Sequence, residues 1–529
     1  MNNQIETVLN YHNRTKHRLE RYAKGPESID WEDQPDQFRH FSGCEIVTLP
    51  KPGREIEVLF SALDAPETLA AQPLTMANIG LLLELSFGLS AWKQFGPSRW
   101  ALRCNPSSGN LHPTEAYIIS SGLETLKAGV YHYVSHDHTL EQRCRFSDNV
   151  TETSLLIGLS SVHWREAWKY GERAFRYCQH DLGHAIGALR YATATLGWSI
   201  ELMAETSDDD IAQLLGLNRL ADFKALEGES PDLLCRIRVG LDNKAFDINE
   251  LIAATQAGVW SGKADSLRAY HLYKWSVIDE VALAASKPST KEPVWQALQS
   301  SPLTTACMQT ATAIIRQRRS AQQFDGKMTP MSQADFYRIL SAVLPTSPAF
   351  QAWRWPAKIH LFIFVHRVEG VTPGVYALPR HQEALEKLKA SSLETFKWER
   401  IAKELPLYHL YSGDCRQFAK TLSCHQPIAS DSAFSLGMVA EFNDTVNEAA
   451  WLYRRLFWET GLIGQVLYLE AEAAGYRGTG IGCFFDDSVH ELLGFKETQF
   501  QSLYHFTIGK PLEDKRIETL PAYEHLEKS

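Results

Sequence analysis

Two kinds of hydrophobic pattern recur along the chain, and each predicts a different type of element. Residues 358–366, KIHLFIFVH, form a continuous apolar run after Pro356, which predicts a buried strand. Residues 448–475 carry apolar positions at helical spacing and end at a glycine suited to closing a helix. The first half repeats this plan, with a predicted strand at 115–120 and a predicted helix at 165–197. The pattern therefore predicts an α+β fold in each half.

Two ungapped alignments within the chain indicate an internal repeat. Residues 129–141 match residues 374–386 at six positions with an offset of 245, and residues 183–217 match residues 461–495 at eight positions with an offset of 278. The second copy therefore carries extra residues between its two blocks. We expect a tandem duplication whose copies pair as an intrachain pseudo-dimer, because both would inherit the same self-complementary surface.

A segment rich in Pro, Ser, Thr and Lys separates the two copies, as expected of a linker. It divides the chain into a first domain at 1–284, a linker at 285–298 and a second domain at 299–529. The total of 529 residues suits two large domains.

Composition and charge narrow the class of protein. Hydrophobic residues make up 44% of the chain and charged residues 22%, which is typical of a globular protein. The net charge of −10 argues against a nucleic-acid partner, and no stretch reaches the roughly 18 apolar residues of a membrane span. The N-terminal segment lacks the apolar stretch of a signal peptide, and the nine cysteines form no CxxC pair. We therefore expect reduced thiols, a cytoplasmic location and no membrane association.

Three segments concentrate candidate chemistry. CNPSSGNLHPTEAY (104–117) gathers hydroxyls, an amide and backbone N–H groups in one loop, which suits a polar planar ligand or an ordinary Ser-Gly-Asn turn. IIRQRRSAQQFDG (314–326) places arginines and a hydroxyl beside a predicted helix, which suits a phosphate or a solvated basic turn. AAGYRGTGIGCFFDD (473–487) has three glycines in five residues, which lets backbone amides approach a ligand or simply forms a loop.

Taken together, these three segments resemble the nitroreductase superfamily of FMN-dependent oxidoreductases. The segments GNLHPTEAY, GVYHY and WKYGERAFRY are similar in particular to those of the SagB/ThcOx-type dehydrogenases, a branch that contains azoline oxidases. The resemblance extends over nearly the whole chain. It implies an enzyme that passes hydride through N5 of FMN, with a small-molecule or peptide-borne substrate.

The resemblance also implies where the cofactor lies. Family homodimers bind each flavin between subunits, one subunit giving the arginine and glycine segments and the other the serine loop. Here the serine loop occurs only in the first half, and the arginine and glycine segments occur only in the second. We therefore expect one FMN per chain, between the halves, with the reciprocal site degenerate.

Matching motif positions give the expected cofactor-binding residues. They are Ser107, Ser108, Asn110, Arg318, Arg319, Ser320, Gln322, Ile481, Gly482, Cys483 and Arg516. Arg318 and Ser320 are expected on the phosphate side, and residues 481–483 near N5. The second phosphate cation is Lys510 or Arg516, of which we favour Arg516. Gln322 stands where the family usually has a cation against the flavin pyrimidine edge, so the resemblance implies a lowered flavin potential unless another cation substitutes.

Lys169 and Tyr170 match the Lys-Tyr pair that azoline oxidases of this branch use in catalysis. Such a pair can remove a proton as hydride leaves the substrate. The alternative is an amphipathic helix with ordinary Lys and Tyr side chains.

Other features leave two function classes open. His180 and His184 imitate a zinc-binding helix, but Asp181 replaces the usual Glu and a third ligand is not evident, so no metal is expected. The functional classes are a flavoenzyme and a flavin-binding pseudoenzyme or assembly module without turnover. Either a monomer or a further dimer is compatible with the sequence.

Overall fold

The computed structural model describes residues 2–147, 154–240, 247–268, 273–295, 297–496 and 498–527, so Gln296 of the predicted linker lies outside the described residues. The helices are α1 (Asn2–Arg14), α2 (Met76–Phe87), α3 (His163–Tyr170), α4 (Ala174–Thr195), α5 (Asp208–Leu215), α6 (Ile248–Ala257), α7 (Ser276–Ala284), α8 (Ala311–Gln317), α9 (Gln333–Ala342), α10 (Gln382–Ser391), α11 (Arg416–Leu422), α12 (Pro427–Asp431), α13 (Phe442–Glu448), α14 (Leu452–Ala473), α15 (Asp486–Leu493) and α16 (Glu524–Glu527).

Strands of the first half are β1 (Phe41–Ser42), β2 (Glu45–Thr48), β3 (Leu89–Phe95), β4 (Ser98–Arg103), β5 (Thr114–Ser121), β6 (Gly129–Val134), β7 (Thr139–Arg145), β8 (Ser154–Ser161), β9 (Trp198–Leu202), β10 (Ser230–Val239), β11 (Val259–Trp260) and β12 (Lys263–Ala264). Strands of the second half are β13 (Ile359–Val365), β14 (Gly374–Leu378), β15 (Glu399–Arg400), β16 (Tyr408–Ser412), β17 (Phe434–Glu441), β18 (Arg477–Ile481), β19 (Phe500–Gly509) and β20 (Glu518–Leu520).

Each half contains one large antiparallel sheet, and six neighbouring strands of the two sheets follow the same order along the chain. The first runs β11-β7-β6-β5-β8-β10-β9, and the second runs β15-β16-β14-β13-β17-β19-β18. The predicted strands are found as β5 and β13 at the centre of these sheets, where every residue of both is buried. The prediction of a mixed α and β architecture is confirmed.

The first of the two long predicted helices is interrupted, and the second begins four residues later than the apolar pattern indicated. The first breaks at Gly171, whose φ of 54° is left-handed and whose Cβ would lie 2.5 Å from the carbonyl oxygen of Lys24. The second is found as α14, which begins at Leu452 because Ala449 is extended at φ −161° and ψ 137°. The predicted closing glycine, Gly475, has φ +76° just after α14.

Helices α4 and α14 lie between the sheets and pack directly against each other. They cross at Gly183 and Gly461, which correspond at the 278 offset. A Cβ on Gly183 would lie 2.7 Å from Cα of Gly461, so only glycine at this crossing permits the close backbone contact. One continuous hydrophobic core contains side chains of both helices, Leu182 and Leu462 among them.

Two segments of the second half contact the first half. Asp486 at the start of α15 accepts hydrogen bonds from Arg173 and Arg176 at the start of α4, at 3.1 and 2.9 Å. Residues 510–527, the C-terminal arm, place β20 antiparallel to β3. In the part of the chain that the structure describes, no helix is long and apolar enough to cross a bilayer.

Candidate functional site

A cavity of about 420 Å³ lies between the two halves. Residues of both halves line it, and among them are Ser107, Ser108, Asn110, Tyr170, Arg318, Arg319, Ser320, Gln322, Ile481, Gly482 and Cys483, all of which the sequence singled out. The three motif segments, which are far apart in the chain, thus meet at one place.

Two of the singled-out residues lie beside the cavity rather than in its lining. Lys169 has its Nζ 5.2 Å from the centroid of the Trp31 ring. Arg516 is 74% exposed at its side chain and forms an ion pair with Asp514 at 2.7 Å. The cations in the described lining are instead Arg318, Arg319, Lys93, Arg103 and Arg477.

The serine loop is anchored by Asp181 of α4. Oγ of Ser107 donates to Asp181 Oδ2 at 2.6 Å, and the backbone N–H and Oγ of Ser108 both donate to Oδ1 at 3.0 Å. The Asn110 amide is also committed to the loop, since its Nδ2 donates to the Ala101 carbonyl at 2.9 Å. Ser107 Oγ accepts from the His112 N–H at 2.8 Å and keeps one lone pair for a ligand, whereas Ser108 Oγ keeps both.

Burial raises the pKa of Asp181 to about 7, although the hydrogen bonds from Ser107 and Ser108 oppose this shift. One helical turn before Lys169-Tyr170 lies Glu166, whose two carboxyl oxygens have no hydrogen-bond partner among the described residues. Burial, followed by the nearby Asp181, raises the pKa of Glu166 well above its usual range. Asp181 lines the site and Glu166 lies near it, and burial favours the protonated form of both carboxyl groups.

The functional atoms of Lys169 and Tyr170 converge on the serine loop at Gly109. A Cβ on Gly109 would lie 2.5 Å from the Tyr170 hydroxyl and 3.1 Å from Lys169 Nζ, and its φ of 58° is left-handed. Burial lowers the pKa of Lys169, whereas burial and then Glu166 raise the pKa of Tyr170 well above 10. Lys169 is therefore the better base of the pair, and Tyr170 remains a neutral hydroxyl at the cavity surface.

The arginine segment crosses from the second half onto the first. Arg318 donates to the carbonyls of Cys104 and Arg103, each at 3.0 Å, directly before the serine loop. Its third guanidinium nitrogen, Nη1, is buried without a hydrogen-bond partner among the described residues. Oγ of Ser320 contacts the Tyr468 hydroxyl at 2.9 Å. The segment thus offers the cavity an uncommitted N–H of a fixed positive charge.

The glycine segment forms edge strand β18. Its glycines were expected to let the backbone approach a ligand, but the structure gives a different reason for them. A Cβ on Gly480 would lie 1.9 Å from the Tyr504 hydroxyl, and a Cβ on Gly482 would lie 2.1 Å from a ring carbon of Tyr177. Packing against these rings therefore requires the glycines, independently of any ligand. The free edge of β18 meets the arginine segment, since the Ala321 N–H donates to the Gly478 carbonyl at 3.1 Å.

The reciprocal position between the halves is filled. At the 278 offset, Arg455 stands where Tyr177 stands in the open cavity. Its guanidinium lies 3.9 Å from the centroid of Trp355 and 4.7 Å from that of Trp451, and it donates to Glu292 of the linker at 2.8 Å. The remaining space there is about 10 Å³.

The histidines singled out as a zinc imitation have separate partners. His180 Nδ1 contacts the Thr460 hydroxyl at 2.8 Å, and His184 Nε2 contacts the Tyr504 hydroxyl at 3.1 Å. Sequence reasoning missed the role of Asp181, which lies between these two histidines in the chain. The comparison with a zinc site considered it only as a replacement for the catalytic base. Tyr177, Tyr468 and Tyr504 also line the cavity. Their role depends on long-range contacts, which leave no local signal.

Comparison with known proteins identifies part of the chain. Residues 315–510 match the model of the family described as Nitroreductase family. The protein MJ1384 of Methanocaldococcus jannaschii, whose name describes it as a nitroreductase, is 21% identical over 160 residues, which cover 27% of this chain and 76% of that protein.

Solved structures extend the likeness in fold to the whole chain. A crystal structure from Anabaena variabilis, described as a nitroreductase, aligns with a TM-score of 0.70 at 20% identity and covers 96% of this chain and 99% of that chain. A chain of the E. coli microcin synthetase McbBCD complex, solved with truncated pro-MccB17, covers 46% of this chain and 95% of that chain at 17% identity, with a TM-score of only 0.28. Residues 315–510 thus resemble the nitroreductase family, within a chain whose overall fold is shared with the Anabaena protein.

Proposed function

We propose that this chain is an FMN-dependent oxidoreductase with one cofactor site, in the cavity between its halves. The observation that carries the proposal is the meeting of the serine loop with the arginine and glycine segments around about 420 Å³ of space. A cavity of this size is in the range used by small-molecule cofactors. The uncommitted N–H of Arg318 and the other lining cations suit a phosphate-bearing, anionic ligand.

Bound FMN would supply a two-electron acceptor that takes hydride at N5. Arg318 and Arg319 would bind its phosphate side, with Ser320 beside them. The serine loop, held in place by Asp181, would present Ser107 and Ser108 to the ring or ribityl portion. The backbone of residues 481–483 would contact the N5 region, as the resemblance implies.

Residues of the first half would remove the proton from the substrate. Tyr170 reaches the cavity with a neutral hydroxyl, and Lys169 lies behind it with a lowered pKa. We propose that Tyr170 positions and relays the substrate proton and that Lys169 accepts it. The substrate class we propose is an azoline or a similar ring that can be dehydrogenated, free or carried on a peptide.

The chain is, in this proposal, a tandem duplication in which one of two cofactor sites has been lost. The shared strand order of the two sheets and the crossing of α4 and α14 at corresponding glycines support it. The reciprocal position, closed by Trp355, Trp451 and Arg455, fits a stoichiometry of one FMN per chain. The free thiols of all nine cysteines suit the cytoplasmic location predicted from sequence.

A flavin-binding pseudoenzyme is the second candidate, because Gln322 lines the cavity where the resemblance expects a cation. Without that charge, reduced flavin is less stabilised. Lys93 and Arg477 line the same cavity and can supply positive charge in its place. We therefore favour the enzyme.

The first experiment is reconstitution of purified protein with FMN, followed by absorbance in the flavin bands and titration to the binding endpoint. We expect one FMN per chain. Bleaching of the bands by a nicotinamide hydride donor or by substrate would support the enzyme, and stable colour without bleaching by any donor would favour the pseudoenzyme. A colourless protein that does not take up FMN would contradict both candidates.

The contribution of both halves to one cofactor site can be tested by one substitution in each half. We expect Ser108→Ala and Arg318→Ala each to weaken FMN binding by at least about tenfold, since each removes a direct contact. Arg14→Ala is the matched control, because Arg14 pairs with Glu172 outside the cavity lining and should leave FMN affinity unchanged. Fluorescence quenching of FMN measures all three. If only one of Ser108→Ala and Arg318→Ala weakened FMN binding, the result would argue against a site shared by the two halves.

Catalysis is tested separately from binding. Tyr170→Phe should retain FMN and lower kcat by about 10²-fold or more, because it removes the hydroxyl that relays the proton. Lys169→Met should do the same. If both variants turn over substrate as fast as the unmodified chain, the proton route through this pair is wrong.

A further inference from the structure

Two cysteines lie in neighbouring segments beside the cavity, and one of them lines it. Among the nine free cysteines six are buried, and Cys44, Cys424 and Cys483 are partly exposed. Cys483 lines the cavity directly after β18. Cys424 follows the end of α11, in the region by which the second half exceeds the first. The two thiols lie close enough for each to shift the pKa of the other.

The backbone holds these two segments side by side. The Phe485 N–H donates to the Leu422 carbonyl at 2.9 Å, and Gln426 Nε2 donates to the Cys483 carbonyl at 3.4 Å. Cys424 and His425 both have left-handed backbones, with φ of 52° and 59°, which is rare for consecutive residues other than glycine. The chain thus adopts an uncommon turn at the point that brings Cys424 to Cys483.

Groups around the pair favour a thiolate on one sulfur only. The Cys424 thiol is the largest cause that lowers the pKa of Cys483, and His17 and Arg173 lower it further against the effect of burial. Cys483, together with burial, raises the pKa of Cys424 in turn. His17 Nδ1 accepts from the Ala23 N–H at 2.9 Å, so the proton of the neutral ring is on Nε2, the nitrogen left for Cys483.

We propose that Cys483 and Cys424 form a redox-active dithiol, in which Cys483 is the attacking thiolate and Cys424 the resolving thiol, and that its oxidant is a peroxide reaching the pair through the cavity. The thiolate sulfur of Cys483 attacks one peroxide oxygen and the O–O bond breaks, which gives a sulfenic acid on Cys483 and releases hydroxide or alkoxide. The Cys424 sulfur then attacks the sulfenic sulfur, the S–O bond breaks, and a disulfide and water result. In total the dithiol loses two electrons and two protons, and the peroxide is reduced.

The proposal does not depend on the cofactor, because the attacking group, its resolving partner and the groups that lower its pKa all belong to this chain. Cys44 provides the internal comparison. It is also partly exposed, but burial raises its pKa and its thiol donates to the Ser261 carbonyl at 3.6 Å. If exposure alone set the reactivity, Cys44 would react as fast as Cys483. The proposed site predicts that Cys44 reacts more slowly than Cys483.

The test uses the full chain, reduced and then freed of reductant, and treated with one equivalent of hydrogen peroxide. Remaining thiols are blocked, and a digest made without reductant is read by mass spectrometry. We expect a peptide pair linked through Cys424 and Cys483 that dithiothreitol separates, and loss of the Cys483 thiol at least about tenfold faster than that of Cys44. Cys44→Ser should form the same linked pair.

Two variants separate the steps, and circular dichroism shows whether each is folded. Cys424→Ser should stop at a sulfenic acid on Cys483 that dimedone traps, and Cys483→Ser should leave Cys424 as a thiol. The proposal is overturned if the folded unmodified chain forms no linked pair, if dimedone labels nothing in Cys424→Ser, or if Cys44 reacts as fast as Cys483.

Discussion

The carboxyl group of Asp181 lies under two serine hydroxyls, and its protonation state decides what those hydroxyls can do. When it is ionised, Ser107 and Ser108 both donate to it, as the geometry shows. When it is protonated, one of its oxygens becomes a donor and a serine hydroxyl is released to donate elsewhere. With a pKa of about 7, both states are populated near neutral pH. The serine loop can thus change from acceptor to donor toward a ligand by a single proton.

Asp181 should make stability fall as pH rises toward neutrality. Its pKa is raised from 3.8 when unfolded to about 7 in the fold, so between these values the folded chain holds a proton that the unfolded chain releases. Its contribution is fully present below pH 4 and is lost by pH 7, at about 1.4 kcal/mol per pH unit. We expect Asp181→Asn to remove this dependence, so that urea unfolding of the variant changes by about 3 kcal/mol less between pH 4.5 and pH 7. An unchanged pH slope in the variant would show that Asp181 is ionised throughout.

At the scale of elements, the contact between α4 and α14 fixes the distance between the halves. Gly183 and Gly461 place two helix backbones in contact, and the cavity lies at one end of this crossing, where Tyr177 and Asp181 of α4 line it. A wider crossing would move the serine loop, held by Asp181, away from the arginine segment. The geometry of the site is therefore set by residues that never touch its contents.

Gly461→Ala should be strongly destabilising. Its Cβ would lie 2.1 Å from the His180 carbonyl oxygen, a backbone atom that cannot rotate away. We expect a loss of about 3 kcal/mol or more in the free energy of unfolding, together with weaker FMN binding. Gly80→Ala, inside α2, is the matched control, because its Cβ would meet ordinary contacts from 3.4 Å outward and alanine favours helix by about 1 kcal/mol. Equal stability of the two variants would contradict the close crossing.

Sequence reasoning found the types of these elements but not their ends. An apolar run predicted β13, and apolar residues at helical spacing predicted α4 and α14. Both patterns reflect burial, which the side chains alone encode. The break at Gly171 depends on the carbonyl of Lys24, and the later start of α14, after Ala449, also lies outside any local signal. The site follows the same rule. Motif residues could be named from the resemblance to a known family, whereas Asp181 could be given its role only once the serine loop was seen to lie against it.

At the scale of the whole molecule, the chain behaves as one body built from two similar parts. The core is continuous through α4 and α14, and two segments of the second half contact the first half. Asp486 of the second half is held by Arg173 and Arg176 of the first, and β20 completes a three-stranded sheet with β3 and β4. Covalent connection between the halves is then not what keeps them together.

Cutting the connection should leave the particle intact. Leu298 is 91% exposed, so a protease site inserted at residues 298–301 should be cleaved in the folded protein. We expect the two fragments to elute together in size-exclusion chromatography, at the position of the uncut chain, and to retain FMN. Separate elution of the fragments under native conditions would show that the halves depend on the linker.

The linker has a second consequence, which concerns how far the asymmetry of the molecule can be undone. Glu292 pairs with Arg455, and that guanidinium stacks on Trp355 and Trp451 at the closed position. Grafting serine, arginine and glycine motifs into the other half would therefore not reopen a second pocket, since the connecting segment would still anchor the side chains that fill it. An engineer seeking two equivalent pockets would have to reroute the connection first. The asymmetry thus depends on the path of the backbone as much as on which half carries the motif residues.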